Sequence, residues 1–226
     1  MARRLVDGVW LLELGWFPPV AANAYLVDDG EVSLIDTGLR WNLPSLRGEL
    51  ADAGYGVDDL DRVLLTHYDL DHTGGLEHLR EAEGLPVYIG ERDAQLLHDE
   101  WTPPLFHHKG LFHRIVRKLF PLPREFEVRR VADGDGIGGF TAYHTPGHNP
   151  GHTAYVHESG AAFLGDLAWE EQGQLTHPFW LDSYDMHQLR ESIRRLAPRV
   201  EYEVACVGHG EPVFDGGALA ALADGI

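Results

Sequence analysis

Short apolar runs recur along the chain with turn residues between them: VWLLELG (9–15), NAYLV (23–27), VSLID (32–36), VLLTH (63–67), VYIG (87–90), FTAYHT (140–145), TAYVH (153–157), AAFLGD (161–166) and VACVGHG (204–210). Their length and their β-branched or aromatic content predict strands. Elsewhere the apolar spacing changes to that of a helix, in LPSLRGELADAG (43–54), GLEHLREAEG (75–84), ERDAQLLHDE (91–100) and MHQLRESIRRLAP (186–198). Gly54, Gly84 and Pro198 stop three of these patterns, and GGALAALADGI near the end predicts a short final helix. From position 63 onward helices fall between strands, which predicts sheets covered by helices on their outer faces. One segment breaks the rhythm. WTPPLFHHKGLFHRIVRKLFPLPREF (101–126) is rich in aromatic, histidine and basic residues and is bracketed by prolines. It reads as an insertion over the surface of a single domain spanning 1–226.

Composition narrows the classes. With 226 residues, 44% of them hydrophobic, the chain has ample material for a core. Its apolar runs break well before the roughly 20 residues a membrane span requires. The start, MARRLVDGVWLLELG, is interrupted by Asp7 and Glu13 and reads as a first strand rather than a signal peptide. No membrane contact is expected. The net charge of −18 repels phosphate backbones, so a small-molecule substrate is expected and nucleic acid is not. The one cysteine, Cys206, lies inside VACVG and reads as a buried small hydrophobe. Such cysteine usage fits a reducing compartment, and the cytoplasm is the expected location.

The ends of the predicted strands carry the chemistry. VLLT runs into His67, Asp69, Asp71 and His72; AYHTPG runs into His148; AFLG ends in Asp166; VACVG ends in His209. Imidazole nitrogen and carboxylate oxygen are ligands that zinc, manganese and iron accept. A lone His148, His209 or Asp166 would be an ordinary polar residue, as His78, His98, His144, His157, His177 and His187 are taken to be. The 67–72 cluster differs, because four titratable groups in one strand-end loop are costly unless something cationic compensates them.

Taken in order, VSLIDTG (32–38), THYDLDHTGG (66–75), HTPGHNPGH (144–152), the Gly165-Asp166 pair and the Gly208-His209 pair resemble the metallo-β-lactamase-fold superfamily of metallohydrolases. The resemblance implies an α+β fold, an αββα sandwich of two mixed sheets flanked by helices. It implies two divalent metal ions: the first at His67, Asp69 and His148, the second at Asp71, His72 and His209, with Asp166 bridging and Asp36 orienting a ligand. The chain departs from the usual H-x-H-x-D-H motif by placing Asp69 where a second histidine stands. An oxygen ligand there tilts preference from zinc toward manganese or iron, as in the similar flavodiiron branch.

The implied reaction is hydrolysis of a small ester, thioester, lactone or phosphodiester by a metal-bound hydroxide, with Asp71 holding the second metal and orienting the water. The alternative is an iron-dependent oxidoreductase acting on sulfur or oxygen compounds. Lactonases of the superfamily carry a tyrosine where this chain has Trp169, leaving Tyr68 and Tyr184 as other proton donors. Only 17 residues follow His209, which argues against the helical extension of glyoxalase II-like thioesterases. The 101–126 segment offers apolar contacts from Trp101, Phe106, Phe112 and Phe120 and positive charge from Lys109, Arg114, Arg117 and Lys118. With Trp169 and Tyr184 it forms a substrate-binding lid, or else its amphipathic LFHRIVRKLF packs on the domain or on a second copy in a homodimer.

Overall fold

Along Val9–Leu14 the side chains divide between two apolar clusters: Val9 and Leu11 join one, Leu12 and Leu14 the other. Tyr25 and Val27 part in the same way from Ala24 and Leu26, and Leu64 from Val63 and Leu65. A strand buried on both faces has no polar side to alternate with, which is why these segments read as continuous apolar runs. The computed structural model describes residues 1–15, 21–82, 84–123 and 125–226. Glu83 in the 75–84 pattern and Arg124 in the 101–126 segment lie outside the described residues.

The strands are β1 (Arg3–Val6), β2 (Val9–Leu14), β3 (Ala22–Asp28), β4 (Val32–Ile35), β5 (Arg62–Leu65), β6 (Pro86–Gly90), β7 (Glu127–Val131), β8 (Gly136–Ile137), β9 (Phe140–His144), β10 (Thr153–His157), β11 (Ala161–Gly165), β12 (Trp169–Glu171), β13 (Gln174–Thr176) and β14 (Val204–Val207). The helices are α1 (Leu46–Ala53), α2 (Leu70–Thr73), α3 (Glu91–Leu97), α4 (His108–Leu119), α5 (Met186–Leu196) and α6 (Ala218–Asp224). Among the described residues β1 to β7 form one sheet in sequence order, antiparallel up to β4 and parallel beyond it. A second sheet runs β14-β11-β10-β9-β8, with β14 parallel to β11 and the other pairs antiparallel. Tyr25, Phe140, Tyr155 and Phe163 fill the space between the two sheets. Leu46 and Leu50 of α1 cover the outer face of the first sheet, and Leu189, Ile193 and Leu219 of α5 and α6 that of the second. The result is the expected αββα sandwich. Cys206 is buried between its sheets, and burial pushes its thiol pKa up.

Two local expectations change. The 75–84 pattern forms no α-helix: a 3-10 helix over Gly74–Leu79 follows the short α2. Its glycines permit a close approach, since a Cβ on Gly75 would stand 2.0 Å from the Thr37 carbonyl oxygen. The N-terminal first strand is two strands, β1 and β2, that pair with each other, and β7, β8, β12 and β13 had no clear signature. Edge strands such as β7, with one face wet, lack the continuous apolar run.

Candidate metal centre

The site lies where β4, β5, β11 and β14 end, because loops leaving neighbouring parallel strands converge on one edge. Asp36 follows β4, His67 follows β5, Asp166 follows β11 and His209 follows β14, while His148 comes from the loop after β9. His67, Asp69 and His148 form one group whose ligand atoms lie within 4.8 Å of one another. Asp71, His72 and His209 form a second such group, and Asp166 lies with His67 and His72 in a third. All seven ligand positions expected from the sequence are therefore brought together.

The imidazoles are held by their far nitrogens. Asp36 Oδ2 lies 2.9 Å from His72 Nδ1, and Asp36 also accepts the backbone N–H and hydroxyl of Thr66 at 2.8 and 2.7 Å. Thr66 Oγ1 is in turn 2.9 Å from His67 Nδ1. With its hydrogen given to Asp36, Thr66 accepts from His67, so both rings keep N–H at Nδ1 and aim Nε2 into the site. His209 Nδ1 donates to the Ala21 carbonyl at 2.8 Å, which turns its Nε2 toward Asp166 and Asp71 at 3.3 and 3.4 Å.

Charges inside the site shift one another. Burial and the neighbouring His72 lower His67 to about 4. Burial opposes protonation of His72 too, but Asp166, Asp36 and Asp71 outweigh it and raise that ring to about 9. His209 is likewise raised well above its ordinary value despite burial, chiefly by Asp166. Asp166 itself, although burial pushes it up, is held well below the carboxylate range by His209 and His72. The centre thus calls for positive charge. His67 Nε2, His72 Nε2 and Asp166 Oδ1 are buried with no hydrogen-bond partner among the described residues. Orphaned polar atoms are costly, and a divalent cation among Asp71, His72, Asp166 and His209 would satisfy the last two by displacing the protons on His72 and His209. The donor set around Asp71, His72, Asp166 and His209 fits such an ion.

The first group carries neighbours that the ligand spacing did not reveal. Asp69 Oδ2 is 2.7 Å from Lys109 Nζ, and Asp69 Oδ1 is 2.8 Å from His113 Nε2 and accepts from Asn149 Nδ2 at 2.7 Å. Burial would raise Asp69, but Lys109, then His113 and His67, hold its carboxyl well below the usual range. Asn149 lies in the quoted GHNPG stretch, whereas nothing in the α4 pattern distinguished the inward Lys109 and His113 from the exposed cations around them. Asp93, at the start of α3, accepts from Tyr68 N at 2.9 Å and Gly151 N at 2.7 Å and ties the two ligand loops together.

Of the expected substrate contacts, Trp169 stands against the His209 ring at 5.2 Å, edge-on. Trp169 also lines a largely apolar cleft of about 610 Å³ with Leu175, Pro178, Phe179, Trp180 and Met186. Tyr184 is committed elsewhere: its hydroxyl lies 3.0 Å from His113 Nδ1, and burial pushes its pKa up. Trp101 lies against Tyr184 at 6.3 Å, Phe112 is half exposed beside His113, and Phe106 is fully exposed. Phe120 packs on Trp41 instead. Tyr68 is buried, and burial, partly offset by Arg117, raises it to about 12.

Ligand-bearing loops at one edge of an αββα sandwich define a class of metal-dependent enzymes. The family model of the metallo-β-lactamase superfamily matches residues 17–209, and the chain belongs to that superfamily. It is 25% identical over 224 residues to the probable metallo-hydrolase YybB of Bacillus subtilis, covering 94% of this chain and 92% of that protein. It is 30% identical over 208 residues to the hydroxyacylglutathione hydrolase GloC of Haemophilus influenzae, covering 85% and 88%. Among solved structures, TTHA1623 in a di-iron-bound form superposes with a TM-score of 0.67 at 28% identity, covering 93% of this chain and 98% of that one.

Proposed function

We propose that the protein is a metal-dependent hydrolase of a small ester or thioester. The observation that carries this reading is the pair of buried atoms without a hydrogen-bond partner, His72 Nε2 and Asp166 Oδ1, beside the half-buried Asp71 and His209. Asp71, His72, Asp166 and His209 would hold a divalent ion, which would supply an acidified water and a Lewis acid for the scissile carbonyl. The chain's own residues do the rest. Asp36 and Thr66 fix the rings of His72 and His67, and the Ala21 carbonyl fixes His209. Asp71, partly exposed and with its carboxylate 3.4 Å from His209 Nε2, would hold and orient the attacking water. Trp169 stands against His209 and lines the apolar cleft, which would accept an acyl chain.

Thioesters enter through GloC, whose name describes such an activity and of which the alignment takes in 88%. A relative matched over most of its length weakens the argument that a thioesterase of this fold needs a long helical extension. Protein loaded separately with zinc, manganese and iron should turn over at least one member of an ester and thioester panel. Asp166→Ala should reduce that rate on the order of a hundredfold or more. Oxygen uptake with a sulfur substrate and no hydrolysis across the panel would replace this reading with the iron oxidoreductase.

A further inference from the structure

We infer that the Lys109 ammonium is a built-in cation that takes the place of the first metal ion, so that the protein holds a single divalent ion, at Asp71, His72, Asp166 and His209. The inference rests on the metal-dependent reading and deepens it, changing the expected two ions to one.

An ammonium has three N–H donors and no acceptor, and each of the three has a partner here. Lys109 Nζ lies 2.7 Å from Asp69 Oδ2, 2.8 Å from His148 Nε2 and 2.7 Å from the Asp182 carbonyl oxygen. Two of those atoms, Asp69 Oδ2 and His148 Nε2, are ones a first metal ion would need. A lysine can only donate, so His148 Nε2 faces it with its lone pair and has none left to give. Asp69 is equally engaged: Oδ1 accepts from both His113 and Asn149, and Oδ2 takes the ammonium. A carboxylate has about four lone-pair sites, and three are filled by this chain. Burying two charges is costly unless close pairing and hydrogen bonds offset the lost hydration; all three Lys109 donors are paired.

The helix carrying Lys109 is fastened down. His107 Nε2 lies 2.8 Å from the Tyr184 carbonyl oxygen and His108 Nε2 lies 3.0 Å from that of Ser183. Three consecutive residues, 107 to 109, thus donate to three consecutive carbonyls, 184 to 182. His107 also caps α4 by accepting from Gly110 N, and a Cβ on Gly110 would stand 2.5 Å from the Pro104 carbonyl oxygen. Withdrawing Lys109 to admit a dication gives up all three of its hydrogen bonds, the one to the Asp182 carbonyl within this clamp included. His67, His148 and Lys109 are sealed, as are His72 and Asp166, so the centre meets solvent through the partly open Asp71 and His209.

The test is metal stoichiometry by elemental analysis after equilibration with excess Zn²⁺ and exhaustive dialysis, together with anomalous diffraction from the same zinc-loaded crystals. Wild-type protein should hold one zinc per chain, with a single anomalous peak among Asp71, His72, Asp166 and His209. Lys109→Ala, its fold checked by circular dichroism, should hold two, the second between His67, Asp69 and His148. Two ions in the wild type overturn the inference without recourse to any variant, and so does a variant that folds but still holds one. One ion without hydrolysis of any ester or thioester removes the proposed reaction and leaves Lys109 in its role. Two ions with hydrolysis do the reverse.

Discussion

Asp36 is a non-glycine residue at φ +57°, a backbone conformation that only a few side chains, aspartate and asparagine among them, adopt readily. It sits there because its carboxylate has to reach Thr66 and His72 together. Asp36→Asn keeps the backbone preference and much of the shape but loses the charge that holds His72 Nδ1–H. Zinc affinity, measured by chelator competition, should fall by about 10- to 100-fold with little change in fold. An unchanged affinity would mean that His72 is oriented by something else. Asp69 teaches a complementary lesson at this scale. It stands at the N-cap of α2, where an aspartate commonly caps, yet its side chain makes no capping hydrogen bond and turns instead to Lys109, His113 and Asn149.

Among the elements, α3 contributes the least expected group. Asp93 is in its first turn and fully buried, and burial, reinforced by Asp69 and opposed by the backbone N–H groups of Gly151 and Tyr68, raises it to about 7. The unfolded chain releases that proton near the ordinary value of 3.8. Between these two values the native state binds the proton and the unfolded state does not, so stability falls as pH rises through the window. The contribution is fully present below about pH 4 and gone above about pH 7, with a ceiling of roughly 4 kcal/mol. In Asp93→Asn, urea midpoints at pH 5 and pH 7 should differ less than they do in the wild type. An equal difference in both proteins would assign the pH dependence to other groups. The other helices follow their sequence signals more closely: α1 starts at Ser45, which accepts from Gly48 N, and stops at Gly54 in the left-handed region. α5 starts at Asp185, which accepts from His187 and Gln188 N.

Across the whole molecule, the centre ties the two sheets together, since its residues come from strand ends of both. Removing the ion leaves Asp36, Asp71 and Asp166 with only the protons on His72 and His209 to balance them. A ligand present at about 1,000 times its Kd stabilises the native state by about 4 kcal/mol. Calorimetry in excess chelator should therefore show a lower melting temperature, restored by added zinc. A melting temperature indifferent to chelator would separate the centre from the stability of the fold. Among the described residues no helix is long and apolar enough to cross a membrane.

The sequence by itself determined the layers and the ligand types. Runs buried on both faces are apolar throughout, and His67, His148, Asp166 and His209 each follow on a strand or its turn, with His72 in the short helix after His67, so both signals are local in the chain. The tertiary structure decided which cation meets which carboxylate. Lys109 lies 40 residues beyond Asp69 and looks like any other base on an amphipathic helix. Only the clamp of His107 and His108 on the 183–184 carbonyls turns its ammonium inward. Asp93 was silent for the same reason, because its burial comes from loops 25 and 58 residues away. A charge reveals its role through what surrounds it, and contacts between distant segments are set by packing rather than by any pattern within either segment.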